Sequence, residues 1–301
     1  MNRVWPVAFG CLGLLLVGGL YAQNTDTPKK LIVEKGIVYG KGGTQDMKLD
    51  LARPTGKGPF PAIVCIHGGA WTMGDRADLS RPTGFFGGKS LIEMLAEEGY
   101  VAATVSYRLA PAAKFPAQIE DCKAAVRFLR KHAEKYAINP DKIGAVGFSA
   151  GGHLACLLGV CRPEDNLEGM GGCEDCASAV QAVCSFFGPT DLTGPDMTND
   201  LVVKSIMEPW LGFNFKDNPE VYRKASPICY VNKKCPPFLF IHGTRDPVVN
   251  LRHSHDLAKK LTELGISAKV IEIKDAGHGW GGKNVELSSQ KMLEFFRETL
   301  K

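Results

Sequence analysis

The sequence predicts an α/β fold, with a mostly parallel central sheet covered by helices on both faces. Strand-like and helix-like stretches alternate along most of the chain, and several of the strand-like runs are short and apolar throughout. One such run, Lys142-Ile143-Gly144-Ala145-Val146, leads straight into Gly147-Phe148-Ser149-Ala150-Gly151-Gly152 and then the helix-compatible His153 to Leu158. A strand that is apolar at every position is buried on both faces, which is the pattern of a parallel sheet sandwiched between helices.

The elements follow in order. Arg3 precedes an apolar segment from Val7 to Leu20, and Tyr21-Ala22 meets the polar run Gln23-Asn24-Thr25-Asp26. This is the pattern of a secretory signal peptide over residues 1–22, cut after Ala22. It predicts an exported protein, periplasmic or secreted, with no stable membrane span after cleavage; an uncleaved anchor is the alternative. The run is short for a span and interrupted by Gly10, Gly13, Gly18 and Gly19, which favours cleavage. Residues 23–301 are expected to form a single domain.

Leu31 to Tyr39 and Met47 to Leu51 read as two strands joined across Gly40-Lys41-Gly42-Gly43, a hairpin. Pro61 to Ile66 is a buried strand, Leu91 to Glu98 a helix closed by Gly99, and Tyr100 to Tyr107 another buried strand. Ile119, Cys122, Val126, Leu129 and Ala133 fall at helical spacing, so Pro116 to Tyr136 reads as one amphipathic helix with proline in its first turn. After the glycine-rich turn and its helix come strand Val180 to Phe187, strand Phe238 to His242, helix Arg252 to Leu264, strand Ala268 to Ile273 and a last helix over Val285 to Leu300. Thr193 to Lys234 breaks the alternation, with Pro209, Pro219 and Pro227 among its prolines and a dense set of aromatics. Two readings stand for residues 193–234: a small helical cap over the site, or an ordinary peripheral excursion packed on the sheet.

Composition narrows the function. Lys plus Arg number 36 against 32 for Asp plus Glu, and a net charge of +4 is too small to argue for a polyanionic partner. No basic run is interleaved with aromatics, so nucleic acid is not expected as a partner. Of the 10 cysteines, Cys65, Cys122, Cys156 and Cys184 sit in apolar patterns and read as core residues. Cys173-Glu174-Asp175-Cys176 lies in a glycine-rich loop with Cys161 upstream, which suggests a disulfide or half of a metal site. No second pair follows, so zinc is not expected; no other metal and no organic cofactor is expected either.

The glycine-rich turn carries the chemistry. G-x-S-x-G between strand and helix is the pattern of a nucleophile elbow, in which the glycines let the two elements meet without a Cβ clash. Ligands of an open parallel sheet bind at the carboxyl ends of its strands, so catalytic groups belong in the loops there. Ser149, Asp246 and His278 each follow a strand, as does His67-Gly68-Gly69-Ala70-Trp71. Ser149 is the candidate nucleophile, His278 its base and Asp246 the carboxylate that orients the imidazole. The N–H groups of Gly68, Gly69 and Ala150 are candidates for an oxyanion hole.

The alternatives are weaker. His67 belongs to the oxyanion loop, His153 to the elbow helix, His242 to a strand end, and His253 and His255 to a helix surface. Asp275 is cramped against His278 in sequence, and Asp191 follows the strand after the elbow. Arg108 and Asp121 read as a structural ion pair. Trp71 and Trp210 are candidates for lining the substrate pocket, with packing beneath the loop the equal alternative for Trp71.

The order Ser, Asp, His is that of α/β-hydrolases, and the motifs resemble that group closely. His67-Gly68-Gly69-Ala70-Trp71 resembles the HGG-x-W oxyanion signature, and Gly147 to His153 the G-x-S-A-G-G-H elbow, of its esterases and lipases. Ser106-Tyr107-Arg108-Leu109-Ala110-Pro111 is similar to a segment of hormone-sensitive-lipase-like esterases. With Phe187-Gly188-Pro189-Thr190-Asp191-Leu192, the chain most resembles carboxylesterases of the feruloyl and acetyl xylan esterase type. The resemblance implies the α/β-hydrolase fold and hydrolysis of a small ester or acylated oligosaccharide. Kynurenine formamidases share the HGG-x-W signature and give a second reading; a catalytically silent binding domain is a third.

Overall fold

The computed structural model describes residues 30–83, 88–198 and 200–301. The proposed signal peptide lies outside them. The described chain builds one eight-stranded sheet from β1 (Leu31–Gly42), β2 (Gln45–Pro54), β3 (Phe60–Ile66), β4 (Val101–Val105), β5 (Ile138–Phe148), β6 (Ala182–Phe186), β7 (Phe238–Gly243) and β8 (Ala268–Ile273). Their order is β1-β2-β4-β3-β5-β6-β7-β8. β2 runs antiparallel to both neighbours, and every pair from β4 to β8 is parallel.

Burial explains the sequence pattern. β4 and β6 are buried at every position, and β3 from Ala62 onward. Side chains alternate between the two faces of a strand. Accordingly, Ala62, Val64 and Ile66 join one core with α2 (Ala117–Lys131), α3 (Ala150–Val160) and α4 (Arg252–Glu263). Ile63 and Cys65 join the opposite core with α1 (Leu91–Glu97) and α5 (Lys283–Leu300). Ser90 and Glu93 form a capping box at the start of α1. That arrangement satisfies backbone donors that a helix start leaves unpaired.

Two expectations need correction. The predicted helix over Pro116 to Tyr136 is two pieces: α2 ends at Lys131, and a separate turn spans Ala133–Tyr136. The break falls at His132, whose ring Nδ1 lies 2.9 Å from the Phe128 carbonyl oxygen. The cysteines of the described residues, including Cys161, Cys173 and Cys176, are free thiols, so no disulfide joins them. Cys161 is buried, whereas Cys173 and Cys176 are partly exposed.

Candidate active site

β5 ends at Phe148, and α3 begins at Ala150. Between them Ser149 takes φ 53° and ψ −117°, a conformation that costs free energy for a residue with a side chain. The neighbours make that turn obligatory. A Cβ on Gly147 would lie 2.0 Å from the Gly151 carbonyl oxygen, and one on Gly151 would lie 2.1 Å from that of Ile66. Larger residues at either place would push the helix off the ends of β3 and β5. The Ser149 N–H is held by the Phe186 carbonyl at 2.9 Å, which fixes the apex to β6.

The structure brings Ser149, His278 and Asp246 into one chain. His278 Nε2 lies 2.9 Å from Ser149 Oγ, and His278 Nδ1 lies 2.8 Å from Asp246 Oδ2. The Asp246 side chain is fully buried. Its Oδ1 accepts the N–H groups of Val248 at 2.8 Å and Val249 at 2.9 Å. Its Oδ2 also lies 3.2 Å from His242 Nε2. Burial alone raises the pKa of Asp246, but the bonds from His242, His278 and the two backbone donors outweigh it and hold the carboxyl well below the usual range. An ionised Asp246 accepts from Nδ1–H, which leaves Nε2 with the lone pair facing the serine.

His278 is also packed from the side. The Phe187 ring lies 4.7 Å from the imidazole, and Trp280 stands 5.3 Å from Phe187 at nearly a right angle. Phe187 itself has φ 41°, an outlier for a bulky residue. Phe187 opens the Phe187 to Leu192 stretch and His242 ends a strand, but the packing of these two residues and Trp280 around the site becomes visible only when the strand ends meet.

The loop of the candidate oxyanion hole adjoins the serine. A Cβ on Gly68 would come 3.0 Å from the Phe148 carbonyl oxygen and 3.5 Å from the Ser149 Cβ. Gly69 has φ +109°, and a Cβ there would meet the Met73 carbonyl oxygen at 2.2 Å. The turn is closed by N–H bonds from Thr72 and Met73 to the Gly69 carbonyl, both 3.0 Å. Ala150 starts α3, where first-turn N–H groups have no partner within the helix. Gly68, Gly69 and Ala150 therefore stand on both sides of Ser149.

Trp71 anchors the loop and lines the cavity on its outer side. That cavity has a volume of about 300 Å³, opens on Ser149, and is walled by Trp71, Met197, Val202, Ile206 and Val249 among others. Trp210 does not line it, contrary to expectation. Its ring stacks on Trp71 at 3.7 Å and 3°, and its Nε1–H donates to Gln118 Oε1 at 3.0 Å, so it is fully buried behind Trp71. The Trp71 Nε1–H points to His153 Nδ1 at 3.3 Å, and His153 Nε2–H donates to the Ala225 carbonyl at 2.7 Å. Complete burial lowers the pKa of His153 to about 4, against a smaller rise from the Ala225 bond.

The competing residues are engaged elsewhere. Asp275 pairs with Arg245 at 2.7 Å, and Asp191 accepts from Thr193. Arg108 and Asp121 form the expected ion pair, with an Nη2 to Oδ1 distance of 2.8 Å. His255 is exposed as expected, but His253 is fully buried. Its Nδ1 accepts from the N–H groups of Thr190 and Asp191, and its Nε2–H donates to Asp196.

Known proteins share this architecture. A model of the BD-FAE family matches residues 49–261. Esterase LipQ of Mycobacterium tuberculosis is 30% identical over 263 residues, which covers 86% of this chain and 58% of LipQ. The probable isoprenylcysteine alpha-carbonyl methylesterase ICMEL1 of Arabidopsis thaliana is 26% identical, over 90% of this chain and 56% of its own. A truncated carbohydrate esterase from gut microbiota superposes with TM-score 0.77 and 28% identity, covering 91% of this chain and 97% of that one. The propionate-bound esterase Est2 of Thermogutta terrifontis gives 0.69 and 25%, covering 89% and 94%. The chain spans between half and about three fifths of the length of the curated relatives it matches.

Proposed function

Because the chain belongs to the BD-FAE family of α/β hydrolases, we propose that it is a serine carboxylesterase acting on short-acyl or carbohydrate-linked esters. The single observation that carries this reading is the unbroken chain Ser149 Oγ, His278 Nε2, His278 Nδ1, Asp246 Oδ2, with links of 2.9 and 2.8 Å. Ser149 Oγ attacks the ester carbonyl carbon while His278 Nε2 takes the hydroxyl proton. The negative charge on the carbonyl oxygen is held by the N–H groups of Gly68 or Gly69 and Ala150, each such donor being worth ~3 kcal/mol in the transition state. The C–O bond then breaks, the alcohol leaves with the proton from His278, and an acyl group remains on Ser149. Water, deprotonated by the same nitrogen, releases the acid.

The carbohydrate esterase among the structural relatives supports a sugar-linked alcohol, and the apolar cavity supports a short acyl group. The Arg3 and Val7-to-Leu20 pattern supports export. Hydrolysis of nitrophenyl acetate and of an acetylated oligosaccharide by the wild type, and its loss in Ser149→Ala, is the test. Equal rates in both proteins would contradict the proposal, and turnover of N-formylkynurenine in place of esters would favour the formamidase reading.

A further inference from the structure

The helical segment from Asp200 to Leu211 is not one α-helix. It is α-helical over Asp200–Val202, forms a π turn over Val203–Met207, and returns to α over Glu208–Leu211. In an α-helix successive side chains are set about 100° apart, so Val202 and Met207 would point about 140° away from each other. A π turn bonds i to i+5 and brings residues five apart toward one side. The consequence is seen in the wall: Leu201, Val202, Ser205, Ile206 and Met207 all line the cavity that opens on Ser149. An α-helix puts only about three or four positions of two turns on one face. The same segment buries Val203, Met207, Trp210 and Leu211 in the core. The extra residue of the π turn lets one short segment serve both sides.

The chemistry of that cavity is one-sided. Among the described residues its lining holds no charged side chain; their hydroxyls there are those of Ser149 and Ser205, and Ser205 Oγ already donates to the Leu201 carbonyl at 2.6 Å. A sugar buried there would leave its hydroxyls without partners, whereas an alkyl chain would lose nothing. His278 does not line the cavity. The leaving alcohol must lie against His278 Nε2 to receive its proton, so the cavity lies on the acyl side of the scissile bond.

We propose that the wall this segment builds, through Val202 and Ile206, sets the length of an unbranched aliphatic acyl chain in this cavity, while the alcohol, polar or sugar, stays outside beside His278. This rests on the esterase reading above.

The test is kcat/KM for nitrophenyl acetate, butyrate, hexanoate and octanoate with wild type, Ile206→Ala, Ile206→Trp and Val202→Ala. Each methylene that finds room gains about fourfold. Ile206→Ala and Val202→Ala are expected to raise the octanoate-to-acetate ratio about tenfold, and Ile206→Trp to lower it by a similar factor. General destabilisation cannot move the ratio in opposite directions. Ratios within twofold of wild type in all three variants would overturn the role of Val202 and Ile206 while leaving the esterase reading intact. If wild type hydrolysed none of these esters, the esterase reading and this inference would fall together.

Discussion

The proposed reacting side chains and the wall that faces them are held by different means. Ser149, Asp246 and His278 stand in loops at the carboxyl ends of β5, β7 and β8, and the buried sheet fixes all three loops at once. The wall over residues 201–207 hangs on one short, interrupted helical segment, backed by the Trp71–Trp210 stack. The difference teaches that the proposed chemistry is positioned by the whole core, whereas the proposed selectivity rests on a few cavity-lining side chains of one short segment.

If that division is right, the largest effects on rate belong to the first region and leave stability nearly unchanged. Ser149→Ala is expected to lower kcat about 10⁵-fold or more with an unchanged melting temperature; a modest loss would break the comparison. Asp246→Asn removes the charge that fixes the His278 tautomer and is expected to cost about 10⁴-fold in kcat. The depressed pKa of Asp246 gives its stabilising contribution a sign: it is present above the unfolded carboxylate value of about 3.9 and lost as pH falls through the lower folded value. Stability measured between pH 5 and 8 should therefore show no slope from this residue.

The second region should show the reverse. Trp210→Ala removes a fully buried indole and is expected to cost about 3–5 kcal/mol in urea unfolding. The milder Trp210→Phe should raise KM more than it lowers kcat, because Trp71 loses its backing while the reacting atoms do not. The smallest effect comes from His153, which supports Trp71 as a neutral imidazole. Its pKa falls from 6.5 to about 4 on folding, so its contribution is complete above the unfolded value and is lost as pH drops toward the folded one. Wild type should be about 2 kcal/mol less stable at pH 5 than at pH 7.5 through this group alone, and His153→Gln should lose that part of the slope.

Legibility in the sequence followed the same division. The strands were legible because burial on both faces leaves uniformly apolar runs, as in Pro61 to Ile66. The elbow and oxyanion loop were legible because close backbone approach demands glycine at Gly147, Gly151 and Gly69. The wall was not, because its segment is broken into three short pieces, none long enough to show a side-chain period. The aromatics of residues 193–234 therefore drew attention to Trp210, while the cavity is lined by Val202 and Ile206 of that segment. His253 looked like a surface residue because its partners, the N–H groups of Thr190 and Asp191, arrive from another strand's loop. The break at His132 left no mark either, since Ala133 continues the helical spacing.

The central claim is that Ser149 is a nucleophile activated by His278 and Asp246. Fluorophosphonate labelling followed by intact-mass and peptide mass spectrometry tests it most directly. The account predicts one adduct per chain, on the peptide bearing Ser149, absent in Ser149→Ala and formed far more slowly in Asp246→Asn. An adduct on another residue, or none on the folded wild type, would contradict it.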